Sequence, residues 1–209
     1  MIVAAHQTML APPALPYDAE VEYLSGDGNQ WIDTGVIPQI PDDLTCVAGV
    51  LWPNTSTRKI MGRQGSFYFG PVNGYLQAGH GGTANTGVAL SANTKHDISV
   101  RFLPVALDKS NTCQYSVDGT TGTANGIYYN NTPSSSSPFW IFAANNATTL
   151  RGACSIYNFA ISRNGTTLRD FIPVRVGSGA GAVGYLYDRV SGELFGNAGT
   201  GAFTIGPDK

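Results

Sequence analysis

Apolar residues in this chain recur at every second position, in runs too short for a helix, and that periodicity restricts the fold more than any other feature. It is plainest in the last third, where Leu168 to Val176 and Val183 to Tyr187 alternate on either side of a Gly/Ala/Ser hinge. A tight turn at Val190-Ser191-Gly192-Glu193 then returns the chain into Leu194-Phe195. Successive side chains of a strand point to opposite faces, so such runs make half-buried strands. No window carries an amphipathic helix of ordinary length.

The same pattern extends upstream. Ala19 to Leu24 sets Val21 and Tyr23 against Glu20 and Glu22, and Gln30 to Gly35 makes the next strand, with Trp31 as a large core candidate. Leu44 to Trp52, bounded by Pro41 and Pro53, predicts a buried strand. Further strands are expected at Lys59 to Arg63, Ser66 to Gly70, Tyr75 to His80, Gly87 to Leu90, His96 to Phe102 and Cys113 to Val117. Pro138 to Ala143 is the most apolar run and predicts a central strand. Ala153 to Ile161 predicts strict alternation, with Cys154, Ile156, Asn158 and Ala160 on one face and Ser155, Tyr157, Phe159 and Ile161 on the other. Asp118-Gly119 and Asn164-Gly165 are hairpin turns, because the tightest hairpins need positive φ at both central residues. Gly79 to Thr86, Asn125 to Ser137 and Ala143 to Thr149 are expected to be loops. About a dozen short strands at this spacing predict an all-β sandwich.

Motifs at both ends carry a family resemblance. Val21-Glu22-Tyr23-Leu24 with Gln30-Trp31-Ile32-Asp33-Thr34-Gly35 opens the domain. Arg169-Asp170-Phe171-Ile172-Pro173, Tyr187-Asp188-Arg189-Val190-Ser191-Gly192 and Asn197-Ala198-Gly199-Thr200-Gly201-Ala202-Phe203 close it. Together they resemble a family of concanavalin A-like (laminin G-like) jelly-roll domains of bacterial surface proteins and of phage and prophage structural proteins. The resemblance implies two antiparallel sheets and places Trp31 and Ile32 close to Phe203. A single jelly roll is therefore expected over 19–209, preceded by an extended arm at 1–18.

Composition narrows the role. Only 12% of the 209 residues are charged and the net charge is −2, so no basic footprint for nucleic acid exists. No run approaches the ~18 apolar residues of a membrane span. The arm lacks a basic start and an unbroken apolar stretch, and no secretory signal peptide is recognised. Its Pro-rich segment orders only if tied down. Met1, Ile2, Val3, Met9, Leu10 and Leu15 are thus expected to dock on the domain or on a neighbouring subunit. Cys46, Cys113 and Cys154 make an odd count without Cys-x-x-Cys spacing, which predicts buried thiols and leaves zinc unsupported.

Catalysis is not expected. A retaining glycosidase needs two carboxylates about 5–5.5 Å apart. Glu20, Glu22 and Glu193 are the only glutamates, and the first two fall on an opening strand expected at a sheet edge. His96 and Asp97 are neighbours on opposite strand faces, unsuited to act as a pair. Laminin G-like domains often hold one calcium at a rim, for which Asp97, Asp108 and Asp118 are the candidate ligands, but no Asp-x-Asp run concentrates them and turn capping is the other role open to them. No other cofactor is implied.

Two functional classes stay open. The first is a non-catalytic, surface-displayed structural or adhesive module, a phage virion accessory protein (capsid decoration, head fibre or tail-associated). It would dock on other virion or surface proteins through the arm, as a homo-oligomer at the virion or cell surface. The alternative is a bacterial carbohydrate-binding, lectin-like module, with a glycoside hydrolase on the same fold as a further one. Candidate glycan contacts are Tyr128, Tyr129, Asn130 and Asn131 in one loop, and Tyr75, Gln77 and His80 near another. If the arm docks, deleting residues 1–16 will lower either the oligomeric mass in solution or the melting temperature; unchanged values in both would show that it does not.

Overall fold

The computed structural model describes residues 14–39, 41–56, 61–63, 67–80, 83–104, 111–126, 137–145 and 151–209. The strands of its first half are β1 (Ala19–Glu20), β2 (Leu24–Gly26), β3 (Ile32–Asp33), β4 (Leu44–Leu51), β5 (Met61–Arg63), β6 (Phe67–Val72), β7 (Tyr75–His80) and β8 (Thr83–Ala89). Next come β9 (Lys95–Phe102), β10 (Asn111–Val117), β11 (Thr120–Gly126), β12 (Trp140–Ile141) and β13 (Ala144–Asn145). The last are β14 (Cys154–Arg163), β15 (Thr166–Val176), β16 (Val183–Asp188), β17 (Glu193–Phe195) and β18 (Thr204–Ile205). One 3₁₀ turn, Gly179–Gly181, is the sole helical element among the described residues.

These strands form two sheets. The larger has the order β11-β10-β9-β4-β14-β15-β16-β17, with β1 on β15 and β2 between β14 and β18. The smaller has the order β3-β12-β5-β6-β7-β8, with β13 beside β5. Among the described residues only the β5–β13 pairing is parallel. The inner faces meet through phenylalanines. Phe67 of β6 lies edge-on to Phe102 of β9 at 5.5 Å, Phe69 stacks with Phe159 of β14 at 6.2 Å, and Phe139 tilts against Phe159 at 5.9 Å. All five are fully buried, each worth roughly 1.5–3 kcal/mol relative to exposure.

The expected hairpins form as read, with φ of 49° and 84° at Asp118-Gly119 and 51° and 79° at Asn164-Gly165. Asn73-Gly74, at 51° and 83°, makes a further one between β6 and β7. Several expectations need correction. Strict alternation in β14 fails at a bulge between Ile156 and Asn158. The bulge shifts the phase, so that Cys154, Ile156, Phe159 and Ile161 all reach the core. Asn158 stabilises it, its side-chain oxygen accepting the Gly49 N–H at 3.0 Å. Pro138 to Ala143 supplies only the two-residue β12, since Phe142 turns to a positive φ of 69°. Much of the expected loop from Gly79 to Thr86 is strand, belonging to β7 and β8. Trp31 is half-buried at the surface and not a core residue.

The two ends of the chain meet through paired strands. β18 pairs with β2, while β3 pairs with β12. Trp31 touches the closing motif through its main chain: its carbonyl accepts the Ala198 N–H at 2.8 Å and its N–H donates to Asn197 Oδ1 at 3.2 Å. β1 is not an edge either. Val21 bridges Asp208, and the Lys209 N–H donates to the Glu20 carbonyl at 3.0 Å. Glu20 and Glu22 are nevertheless exposed, as expected. The arm's end is tied down, with Tyr17 edge-on to Tyr187 at 5.0 Å and Asp18 accepting the Gly177 N–H at 2.7 Å. Leu15 is 58% exposed. Met1, Ile2, Val3, Met9 and Leu10 lie outside the described residues.

The closing motif is held by Asp188, which is fully buried. Its oxygens accept the N–H groups of Asp170 at 2.8 Å, Val190 at 3.2 Å and Ser191 at 3.3 Å, and Arg169 Nη1 at 3.4 Å. Arg169 reaches on to the Thr34 carbonyl at 2.9 Å, linking the β16–β17 turn to the segment after β3. Removing one partner of a buried charge pair strands the other. Asp188→Ala is therefore expected to cost roughly 3 kcal/mol in urea denaturation; a cost under about 0.5 kcal/mol, typical of a surface substitution, would show that the clamp is dispensable.

Candidate functional site

The outer face of the smaller sheet carries a groove built by the β6–β7–β8 hairpins. The Asn73-Gly74 turn is fixed from both sides, Gly74 donating to the Thr55 carbonyl and accepting from the Leu90 N–H, both at 2.8 Å. Beyond it β7 and β8 are out of step. Tyr75 pairs with Ala89 but Gln77 with Asn85, so Thr86, Gly87 and Val88 bulge opposite Leu76. Thr86 holds the bulge by donating its hydroxyl to the Leu76 carbonyl at 2.7 Å and accepting the Val88 N–H at 3.1 Å. Gly87 takes the positive φ of 74° that the bend requires. Tyr115 of β10 donates its hydroxyl to the Thr86 carbonyl at 3.1 Å, anchoring the bulge to the larger sheet. Bulges of this kind re-aim side chains next to sites.

Val72, Asn73, Tyr75, Gln77, Asn85 and Gly87 line a space of about 410 Å³. Tyr75 and Gln77 share one face of β7 because they are two residues apart. Tyr75 is 51% exposed, an unusual position for so large a ring. Gln77 is buried, and its amide donates to Asn85 Oδ1 at 2.8 Å. That bond fixes both amides and leaves the Gln77 oxygen and Asn85 nitrogen to meet a ligand. Among the described residues no charged side chain lines the groove. Chemically it is a stacking ring beside a fixed donor and acceptor, in neutral surroundings.

Of the seven residues expected to contact glycan, the structure brings Tyr75 and Gln77 together. His80 occupies the alternate register position of β7, with Leu76 and Ala78. Tyr128, Tyr129, Asn130 and Asn131 lie outside the described residues. Asn73 and Asn85 were not anticipated. The Asn-Gly dipeptide could have marked the first, whereas the second depends on a bulge that periodicity does not show. Another concavity, of about 440 Å³, lies on the larger sheet and is lined by Thr45, Ser99, Arg101, Gln114 and Thr123 among others. Its cation is spoken for, since Asp43 grips Arg101 Nε at 2.8 Å and Nη2 at 2.6 Å. Its one ring among the described residues, Tyr115, is already committed to Thr86.

The calcium candidates have other partners. Asp118 Oδ2 meets His96 Nδ1 at 2.6 Å, and its Oδ1 accepts the Asp97 N–H at 2.8 Å. Asp97 pairs with Lys95 at 3.3 Å. Asp108 lies outside the described residues. Among the described residues no group of three or more His, Cys, Asp or Glu could hold a metal. His96 and Asp97 do fall on opposite faces; the acid that meets the imidazole comes instead from the β10–β11 turn. Ser91 meets His96 Nε2 through its main-chain N–H at 3.1 Å, not through its hydroxyl. The arrangement pins the β8–β9 turn to the β10–β11 hairpin.

No protein-family model matches the chain, and no curated protein matches it. Among solved structures it is similar to a candidate carbohydrate binding protein from Bacteroides ovatus, with a TM-score of 0.59 at 12% identity. The match covers 89% of this chain and 60% of that one, so this chain spans about three-fifths of its length. The likeness bears out the all-β, two-sheet sandwich. Among the described residues no helix is long and apolar enough to cross a membrane.

The Asp118 carboxyl should be visible in acid. Burial works to raise its pKa, but the hydrogen bonds from His96 and the Asp97 N–H, with the charges of His96 and Lys95, outweigh it and hold the value below the ordinary range. A depressed carboxyl stabilises the fold above its unfolded pKa of about 3.9, and that contribution is lost as pH falls through the folded value. Melting temperatures of the wild type are expected to drop below about pH 4 more steeply than those of Asp118→Asn. Parallel acid limbs would show that Asp118 is not coupled to folding.

Proposed function

We propose that the chain is a carbohydrate-binding β-sandwich module that works without catalysis and holds a neutral glycan in the groove on the smaller sheet. The observation that carries this reading is the half-exposed ring of Tyr75 beside the Gln77–Asn85 amide pair. A pyranose has one face of C–H groups and a rim of hydroxyls. The ring packs on the first, while the free amide atoms of Gln77 and Asn85 take hydroxyls of the second. A lining without charge among the described residues favours a neutral sugar. The naming of the Bacteroides ovatus neighbour as a candidate carbohydrate binding protein agrees in kind. Among the described residues no carboxylate lines the groove, whereas glycoside hydrolysis calls on two. Such a role belongs at a surface or outside the cell.

The reading as a virion accessory protein rests on the family resemblance and on an arm whose first 13 residues lie outside the described part. No observation of the structure adds to it. A glycan array combined with solution mass separates the two: a monomer that binds glycan supports the module, and a stable oligomer inert on the array supports the assembly protein. For the best neutral ligand, Tyr75→Ala is expected to weaken binding at least tenfold, about 1.4 kcal/mol, with an unchanged melting temperature. Undiminished affinity in that variant would overturn the placement of the site.

A further inference from the structure

A second aromatic cluster lies outside the groove, at the β3–β12 side of the smaller sheet. Trp31, just before β3, and Trp140, on β12, stack with centroids 5.0 Å apart and planes 16° from parallel. The guanidinium of Arg151 lies over the Trp31 ring, 4.4 Å from its centroid. Both indoles are half-buried. Gly199 makes room for the stack, since a Cβ there would sit 2.6 Å from the Trp31 ring.

Arg151 differs from its counterparts. Arg101, Arg163, Arg169, Arg175 and Arg189 each pair with an aspartate. Arg151 meets no acid among the described residues; its neighbour is the ring. Its Nε and the Trp140 Nε1 are buried donors without an acceptor. The Nε of Arg163 also lacks a well-aligned hydrogen bond, but Asp42 Oδ2 lies 2.9 Å from it and meets its charge. A buried donor left unmet is costly, and each case in a native fold calls for an explanation. Asp33, the cross-strand neighbour of Trp140, turns instead to cap the Gly35 N–H at 2.8 Å.

We propose that the Trp31–Trp140–Arg151 cluster is a second glycan site, selective for an acidic sugar ring such as a uronate unit of an anionic polysaccharide. The guanidinium takes the carboxylate, the Trp140 N–H takes a ring or hydroxyl oxygen, and the indole faces take the C–H surface of the sugar. Both donors are shielded as the molecule stands, so binding swings Arg151 off the face of Trp31. A cation–π contact is then exchanged for a stronger charge-assisted hydrogen bond. The site is independent of the Tyr75 groove, which is uncharged and suits neutral glycan.

Tryptophan fluorescence reads this directly, because Trp52 is buried at 1% exposure and serves as a fixed background. Titration with an oligogalacturonate is expected to give a saturable change that a neutral galacto-oligosaccharide does not, and added salt should weaken it. Arg151→Gln should reduce the affinity at least tenfold, while Tyr75→Ala leaves it unchanged. If Arg151→Gln does not fold, Trp140→Phe, which keeps a ring and removes the N–H, should reduce it severalfold. No saturable response to the uronate, or wild-type affinity in folded Arg151→Gln, would overturn the site. So would loss of uronate binding in Tyr75→Ala, which would place the acid in the groove. Failure of neutral glycans to bind the groove would leave these outcomes unaffected.

Discussion

The structure depends on β2 being hydrogen-bonded along both edges. Leu24 to Gly26 pairs with Cys154 to Ile156 on one side, and Leu24 and Ser25 pair with Thr204 and Ile205 on the other. A strand from the start of the chain is thus locked between one from its last third and one from its final residues. Gln30 reinforces the lock from a buried position, accepting the Asp27 N–H at 2.9 Å and donating to the Ala202 carbonyl at 3.2 Å. Phe203 seals it against Phe142 with ring centroids 4.7 Å apart. Pairings so distant in sequence must close large loops before they repay the entropy, which makes folding of such a domain slow.

Locking the ends leaves the outer faces free for other uses. Phenylalanines fill the space between the sheets, while the tryptophan pair and Tyr75 stand on the outside of the smaller one. That division follows from chemistry. A phenyl ring has no polar atom to satisfy, whereas tyrosine and tryptophan each carry one group that wants a partner. The larger sheet spends its polar face differently. Arg101 is bound to Asp43 and Arg175 to Asp208, so its cations are used to tie strands together.

Much of the fold was legible from residue order. The Asp118-Gly119 and Asn164-Gly165 turns were readable because backbone with φ near +50° and +80° admits few residue pairs. Only the end of β8 was legible, because Thr83-Ala-Asn-Thr-Gly is small and polar, and its place in the sheet comes from main-chain pairing with β7. The β14 bulge left a trace that was not used: apolar residues at 154 and 156, then at 159 and 161, are two runs of the same period in opposite phase. Trp31 misled because size suggests burial, while its actual neighbours, Trp140 and Arg151, are remote in sequence. Half of the groove was readable for the same reason that half was not. Tyr75 and Gln77 are two apart on one strand, whereas Asn85 joins them through a pairing register that three bulged residues reset.

Cys46, Cys113 and Cys154 are all free and all buried. Loss of hydration pushes the Cys113 thiol up to about 12 and the Cys46 thiol higher still. Thiolate is the form that attacks disulfides and is oxidised, so these two sulfurs behave as small hydrocarbon groups. No covalent staple is asked of them, and the core that encloses them is complete without one. The domain can accordingly take its final form in reducing and in oxidising surroundings alike, and a journey between the two would leave its geometry untouched.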